Sequence, residues 1–421
     1  MRRTLGFIGK CSVVVILFAV LFSYAMFQGG FVSWFLFYAF LPFLVYMLAV
    51  LFYPINNWKI DRKLSKRMAM GSETVDVEVT MERKIPFPIY YCVIEEYLPE
   101  SLKRVDKHHE KFKDMDTENQ FYEPRKVKRV VFPWFSKKIT YRYSLDKLPR
   151  GEHVLKSIRM KTGDFFGFVK KEYVYQQESK LLVFPYLRPV KMKERVYSFE
   201  QGSSPSFKLN EKNTNVVTGV REYMPGDRFA WVDWKTTAKK NEMMTKEFEQ
   251  EKSVDMMVIL NSVYHPNLSE LSFEGAVEFT ASLLREFHKN SSPVAFMSLG
   301  DDRRYFPFHQ DYKHQQQMQG HLAKVRPVGR IPFAQQLERE KSSIPSGVML
   351  MFVSHHLDHD IQVAISKLAK KSKRVLFFYV RPHGQMTFQD HQNVKQLKSR
   401  GVIVNVLNEE QLTQQEFEVN T

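Results

Sequence analysis

Cysteine is close to absent: Cys11 and Cys92 are the two thiols in 421 residues. That excludes a disulfide framework and a thiolate metal cluster, and with Cys11 inside an apolar run the two are not expected to pair. Glycine-rich phosphate loops are missing as well. The chain contains no GxGxxG and no Walker A motif, and it lacks HExxH, GxSxG and any Cys/His group at zinc spacing. These absences remove the common nucleotide-binding, zinc-peptidase and serine-hydrolase readings, and no cofactor is expected. Acid is the minority charge, with 46 Asp and Glu against 62 Lys and Arg, a net +16. Such an excess suits a membrane surface or nucleic acid and says nothing about fold. Hydrophobic residues make up 44% of the chain, so it can build cores, and its length suits two or three domains.

Two long apolar runs are present. Residues 12–27 (SVVVILFAVLFSYAMF) and 31–53 (FVSWFLFYAFLPFLVYMLAVLFY) carry no charge and are separated by Gln28, Gly29 and Gly30. The second is long enough to cross about 30 Å of hydrocarbon at about 1.5 Å per residue. The first reaches that length with residues 5–10 added and Lys10 snorkelling. The first run is not expected to be a cleaved signal peptide. The expectation is a transmembrane helical hairpin over residues 1–60. Arg2, Arg3 and Lys10 precede the first run, and Lys59, Arg62, Lys63, Lys66 and Arg67 follow the second. The positive-inside rule then places both termini in the cytoplasm of a multi-pass plasma-membrane protein. Trp34, Tyr53 and Trp58 sit near the run ends, where an interfacial aromatic belt belongs. The first 70 residues hold eight Lys/Arg against one acid, so anionic lipid is the expected partner of residues 59–67 and nucleic acid is not.

Between residues 61 and 195 the hydropathy period is two. ETVDVEVTM (73–81) alternates as a half-buried strand does, and IYYCVIEEYL, KVKRVVFPWF, KKITYRYSL, HVLKSIRM, FFGFVKKEYVYQ and KLLVFPYL are similar runs. Short strands without an amphipathic helix imply an antiparallel β-sandwich-like domain. SLKRVDKHHEKFKDMDTENQ (101–120) reads as a solvated excursion, with His108 and His109 exposed rather than ligating a metal. Residues 196–253 form a linker and a charged segment, the linker-like stretch itself running from 191 to 215. From residue 254 apolar strands alternate with helices: VDMMVILN, a helix over 272–290, PVAFMSLG, a helical region over 312–341, GVMLMFVS, a helix over 361–371, RVLFFYV, a helix over 391–400 and VIVNVL. That pattern implies an α/β doubly wound domain with a parallel sheet over 254–421. The whole chain is thus expected to be a membrane-anchored α+β multidomain protein.

Doubly wound sheets place ligands at the carboxyl ends of their strands. A metal-dependent adhesion site there needs Asp-x-Ser-x-Ser to supply hard oxygen ligands. The matching positions hold Asn261, Val263 and His265, and Val263 cannot ligate Mg²⁺. SHHLDHD (354–360) follows another strand at the same rim. It is either a metal site or a strand-to-helix loop with Asp358 or His359 at the helix start, and the loop is the expectation.

The densest motif is GVREYMPGDRFAWVDWKTTAKKNEMMTKEFE (219–249). Pro225, Gly226 and Asp227 signal a turn. Arg221, Glu222, Asp227, Asp233, Lys235 and Glu247 are candidates for an ion-pair network around it. Trp231 and Trp234 share a face if the run is helical; in a strand, Phe229, Trp231 and Asp233 would share one. This stretch resembles the signature of the bacterial domain of unknown function 58 family, through Gly219, Arg221, Glu222, Tyr223, Pro225, Gly226, Asp227, Trp234, Lys235, Thr237, Ala238, Glu247, Phe248 and Glu249. TGDFFGF (162–168) and LLVFPYLRPV resemble two further family runs. Ala230 and Lys239 stand where the family often has Arg, and each departure removes a guanidinium fork. The resemblance implies two N-terminal spans, a β-rich region and a von Willebrand factor A-like C-terminal domain. It also implies a MoxR-type AAA+ ATPase as partner in assembling or remodelling envelope proteins. On that basis the chain is expected to be a non-enzymatic scaffold or adaptor. The signature is then either a charged hairpin bracing two domains or a docking surface. A hydrolase using Asp227, Asp233 or Glu247 is the enzymatic alternative, and a basic membrane-surface or nucleic-acid-binding protein is the third.

Overall fold

Two long, largely apolar helices begin the chain in the computed structural model, α1 (Arg2–Gln28) and α2 (Phe31–Phe52). The structure describes residues 2–103, 105–115, 125–193, 216–227, 229–249, 255–266, 268–290, 292–309 and 311–421. Of the linker-like stretch expected over 191–215, residues 194–215 lie outside them. Gly29, at φ +56°, makes the reversal between the helices. Within the two helices, Ile8–Gln28 and Phe31–Phe52 have mean hydropathies of 2.2 and 2.4, long and apolar enough to cross a membrane. Val14 of α1 packs with Leu44, Met47 and Val50 of α2.

The chain divides into two compact units, Met1–His108 with Asn119–Phe184, and His109–Glu118 with Pro185–Thr421. In the first unit, β1 (Lys59–Leu64), β3 (Val75–Glu82) and β6 (Lys138–Leu145) form one antiparallel sheet. A second runs β2 (Met68–Met70), β8 (Lys170–Phe184), β7 (Gly151–Gly163), β4 (Cys92–Tyr97), β5 (Val127–Val131), with β2 the one parallel neighbour. Alternation sends Val75, Val77, Val79 and Met81 of β3 inward, where they share one apolar cluster with Ile94, Leu155, Ile158 and Leu181 of the other sheet. The two strand runs expected on either side of residue 178 are one strand, β8. Phe165, Phe166 and Phe168 belong to the turn before it. Arg62 does not face lipid with its basic neighbours. It is buried, its Nη2 2.5 Å from Glu96 Oε1 and its Nη1 donating to the carbonyls of Leu155 and Gln177.

The second unit holds a six-stranded sheet of order β14-β13-β12-β15-β16-β17. Its strands are β12 (Met256–Asn261), β13 (Val294–Leu299), β14 (Arg304–His309), β15 (Met349–Ser354), β16 (Arg374–Val380) and β17 (Ile403–Leu407). Every pairing is parallel except the one between β13 and β14. The helices are α4 (Glu270–Lys289), α5 (Tyr312–Lys324), α6 (Phe333–Arg339), α7 (His359–Ala369), α8 (Phe388–Ser399) and α9 (Glu409–Thr413). One sheet face, with Met257, Ile259, Leu350 and Phe377, packs on Leu337, Ile361, Ile365 and Leu397 of α6, α7 and α8. The opposite face meets α4, where the Phe279 ring lies 4.6 Å from that of Phe378. Burial on both faces is why these strands read as unbroken apolar runs.

Three features of this unit depart from expectation. β14 is an antiparallel edge strand containing Pro307, a residue that such an edge accommodates. The chain does not end at β17: β18 (Phe417–Asn420) pairs in parallel with β9 (Val190–Lys193), drawing residues expected in the β-rich region and the linker into this unit. Nor are all the described residues of the 101–120 excursion solvated. Leu102, Phe112 and Met115 are buried, and His108 and His109 are half-buried. Lys111 pairs with the buried Glu278 of α4, which Arg188 also approaches at 3.4 Å.

Candidate functional site

The signature folds as a small hairpin of its own, β10 (Val216–Glu222) paired antiparallel with β11 (Met244–Glu249), with α3 (Trp234–Lys240) between them. Its tip is the sequence Met224, Pro225, Gly226, Asp227. Proline presets the first corner, glycine takes φ +115° at the second, and Asp227 N donates to Met224 O at 3.0 Å. Arg221 then reaches over the turn with a two-pronged contact, Nη1 to Asp227 Oδ2 at 2.9 Å and Nη2 to Oδ1 at 2.7 Å. Met224 N donates to the same carboxylate at 3.0 Å. The Arg221 fork, with the Met224 amide, holds the Asp227 carboxyl below its usual range. Tyr223 is tied in through its own N–H to Met243 O, and its ring lies 5.9 Å from Phe229.

Asp233 has a different task. It is the N-cap of α3 and accepts from Lys235 N at 3.1 Å and Thr236 N at 3.0 Å. Those amides, Thr236 first, hold its carboxyl below the usual range. Of the six residues expected in an ion-pair network, Arg221 and Asp227 form a pair and Asp233 caps a helix. Glu222 and Lys235 are exposed, and among the described residues neither joins an ion pair with the fork. The side chain of Glu247 lies outside the described residues. Trp231 and Trp234 share neither one helix nor one strand. Trp231 closes a single 3-10 turn over Phe229–Trp231, Trp234 opens α3, and Val232 between them bridges to Thr245.

Underneath, Val232, Met244 and Thr245 are buried. On top, Met224, Phe229 and Trp234 are 62, 67 and 65% exposed. The turn is satisfied by charge, and these three large apolar side chains are left in water. Two of the signature's carboxylates are already engaged. Asp227 is locked in a fork, and Asp233 is spent on a cap.

The rim of the six-stranded sheet is the second place to look. β12 is the first strand and its neighbours β13 and β15 lie on opposite sides, so the chain reverses direction across the sheet between β12 and β15. Asn261 ends β12 and Ser354 ends β15. Asn261 Nδ2 donates to Ser354 Oγ at 2.9 Å, and Asn261 Oδ1 accepts from Val263 N at 3.0 Å. Both polar ends of the amide are thus committed to the protein. Val263 is buried; His265 is half-buried and stacks on His356 with ring centroids 3.8 Å apart. His356 Nε2 lies 3.4 Å from Asp358, which caps α7 by accepting from Ile361 N. Burial works against the Asp358 charge, yet the His356 contact and the Ile361 amide hold its carboxyl below the usual range. His359 is simply the first residue of α7. His355 is fully enclosed, edge-on to Phe273, and neither ring nitrogen makes a well-formed hydrogen bond. Burial, reinforced by His356 and His265, pushes its pKa down to about 3. Burial likewise lowers His265. Among the described residues no group of three His, Cys, Asp or Glu side chains could hold a metal ion.

The signature also carries the kinship. The family described as "Protein of unknown function DUF58" matches residues 219–386, from the β10 hairpin through β16. The uncharacterized protein YeaD of Bacillus subtilis (strain 168) is 37% identical over 314 residues, covering 75% of this chain and 74% of YeaD. Likenesses to solved structures are slight. A CARDB domain from Pyrococcus furiosus gives 8% identity and a TM-score of 0.17, over 30% of this chain and 92% of that one. The alkylpurine DNA glycosylase AlkC of Pseudomonas fluorescens gives 10% and 0.19, over 30% of each. TM-scores this low carry no structural argument. A relative of YeaD's identity and coverage does: this chain belongs to the DUF58 family.

Proposed function

We propose that the chain is a membrane-tethered scaffold whose signature hairpin docks another protein, rather than an enzyme. The observation that carries this reading is the exposure of Met224, Phe229 and Trp234 on a hairpin whose tip is held by Arg221 and Asp227. Rigid, amphipathic aromatics are the residues that dominate protein interfaces. The hydrolase alternative loses support because the carboxylates of Asp227 and Asp233 are already engaged. In this reading α1 and α2 cross the plasma membrane with both termini in the cytoplasm. The first unit is a β-sandwich-like domain, and the second carries a von Willebrand factor A-like domain. The engagement of Asn261 with Ser354 supports a form of that domain working by contact rather than through a bound metal. Family resemblance points to a MoxR-type AAA+ ATPase as the docked partner, acting on envelope proteins. The test is co-purification of full-length protein and its Trp234→Ala variant from native membranes, with mass spectrometry of what comes along. An AAA+ protein enriched with the wild type and depleted with the variant supports the reading. If no AAA+ protein is recovered, the partner assignment fails; equal recovery by both proteins removes the docking face.

A further inference from the structure

Three loops of the first unit expose large apolar side chains while several of their backbone groups are hydrogen-bonded to side chains of the same unit. They span residues 85–88 (IPFP), 132–135 (FPWF) and 165–168 (FFGF). Ile85, Phe132, Trp134, Phe135, Phe166 and Phe168 are each about half exposed or more, Phe135 reaching 62%. Pro86, Pro88 and Pro133 contribute no N–H at all. The buried Arg83 supplies donors to loop carbonyls, Nη1 to Phe87 O at 2.7 Å, Nε to Ser136 O at 2.5 Å and Nη2 to both Pro133 O and Trp134 O. Tyr53 OH donates to Ile85 O at 2.8 Å, and Tyr46 OH donates to Pro88 O at 3.0 Å. In the third loop the Asp164 carboxylate accepts from Phe166 N and Val169 N at 3.0 and 2.6 Å. Surfaces facing water have no need of such closure, whereas surfaces facing hydrocarbon require it.

The loops also continue the surface of the helical hairpin. Phe166 meets Phe43 of α2 with ring centroids 5.6 Å apart, and Phe165 meets Tyr46 at the same distance. Phe165 stacks on Tyr90, which in turn touches Phe132 and Trp134. Val169 lies in one apolar cluster with Val14, Leu44 and Met47. Phe43 is nine residues (52 − 43) before the end of α2 at Phe52, about 14 Å along the helix axis. Exposed Lys84, Lys137 and Lys170 flank the loops, suited to lipid phosphates. We propose that these three loops are seated in the headgroup–acyl boundary of the leaflet beside α1 and α2, so that phospholipid covers their aromatic side chains. This rests on reading α1 and α2 as membrane spans.

Nitroxide spin labels test it in full-length protein reconstituted into phosphatidylcholine–phosphatidylglycerol vesicles, in a Cys11→Ser, Cys92→Ala background. Labels go at Phe132→Cys and Phe166→Cys, with Val20→Cys on the exposed face of α1 and Lys180→Cys on β8 as references. Collisions with oxygen should exceed those with an aqueous nickel chelate several-fold at positions 132 and 166, as at 20, and the order should reverse at 180. Nickel dominating at 132 and 166 while position 20 stays lipid-like overturns this inference alone. Shielding from both reagents at 132 and 166 places protein there and overturns it too. Nickel access at position 20 overturns the span reading and this one with it.

Discussion

Glu278→Gln removes one negative charge from a site with no water to replace it. Glu278 is 1% exposed on α4, and its two oxygens face Lys111 Nζ and, at 3.4 Å, Arg188 Nη2. Arg188 is as buried, donates to the carbonyls of Leu412 and Gln414 at 2.6 and 2.8 Å, and lies 3.9 Å from the centre of the Phe417 ring. With the carboxylate gone, two buried cations lose the negative charge they share. Breaking a buried pair in this way costs about 3–5 kcal/mol, a large part of the ~5–15 kcal/mol that holds a domain folded. For a unit of this size the midpoint should fall by about 10 °C or more. Calorimetric melting of full-length protein in detergent, wild type against Glu278→Gln, reads this directly. Removing Lys111 as well, as Lys111→Met with Glu278→Leu, should cost less than the two single changes added together. A Glu278→Gln shift worth less than about 1 kcal/mol would refute the pairing, because removing one partner of a buried ion pair is strongly destabilising.

Two further outcomes follow from the geometry. Asp227→Asn keeps the shape but loses the Arg221 fork, so amide exchange at Met224 and Asp227 should accelerate while the global melting midpoint stays put; unchanged local protection would show the fork to be incidental. His355 stays neutral in the fold down to about pH 3, whereas an unfolded histidine takes up its proton near pH 6.5. Between those values the unfolded state binds more protons, so this contribution to stability is complete above pH 6.5 and drains away as pH falls. By pH 5 the loss should be on the order of 2 kcal/mol. The window that reports on His355 is about pH 5–6.5, just below the ordinary histidine value. There the melting midpoint should depend less on pH in His355→Leu than in the wild type, and equal slopes would contradict the burial argument.

Patterns that depend on local sequence were legible, and features decided by distant partners were not. The apolar runs at 12–27 and 31–53, the alternation of β3 and the unbroken apolar strands of the large sheet each carry their structure in their own spacing. The turn at Pro225 and Gly226 is equally local. Lys111 lies in a Lys-rich stretch, and nothing nearby announces burial, because its partner Glu278 is 167 positions away. β14 was obscured by Pro307, whose tolerance depends on the strand lying at an edge. The pairing of β9 with β18 joins two four-residue strands from opposite ends of the unit, each too short for a period to register. At the signature, residue identities pointed to charge pairing around the turn, and the structure names the pair as Arg221 with Asp227 and gives Asp233 to the helix start. Exposure of Phe229 and Trp234 was not readable, since an aromatic residue in a mixed-charge segment suits a core and a contact surface alike.

The docking claim is tested most directly by partner recovery with and without Trp234. Truncating a central interface tryptophan costs about 2 kcal/mol or more, which is about 30-fold in affinity. The account predicts that Trp234→Ala, exposed in the free protein and so harmless to its melting midpoint, cuts recovery of the co-purifying protein from native membranes by about that factor. Equal recovery by the two proteins, with both fully folded, would contradict it.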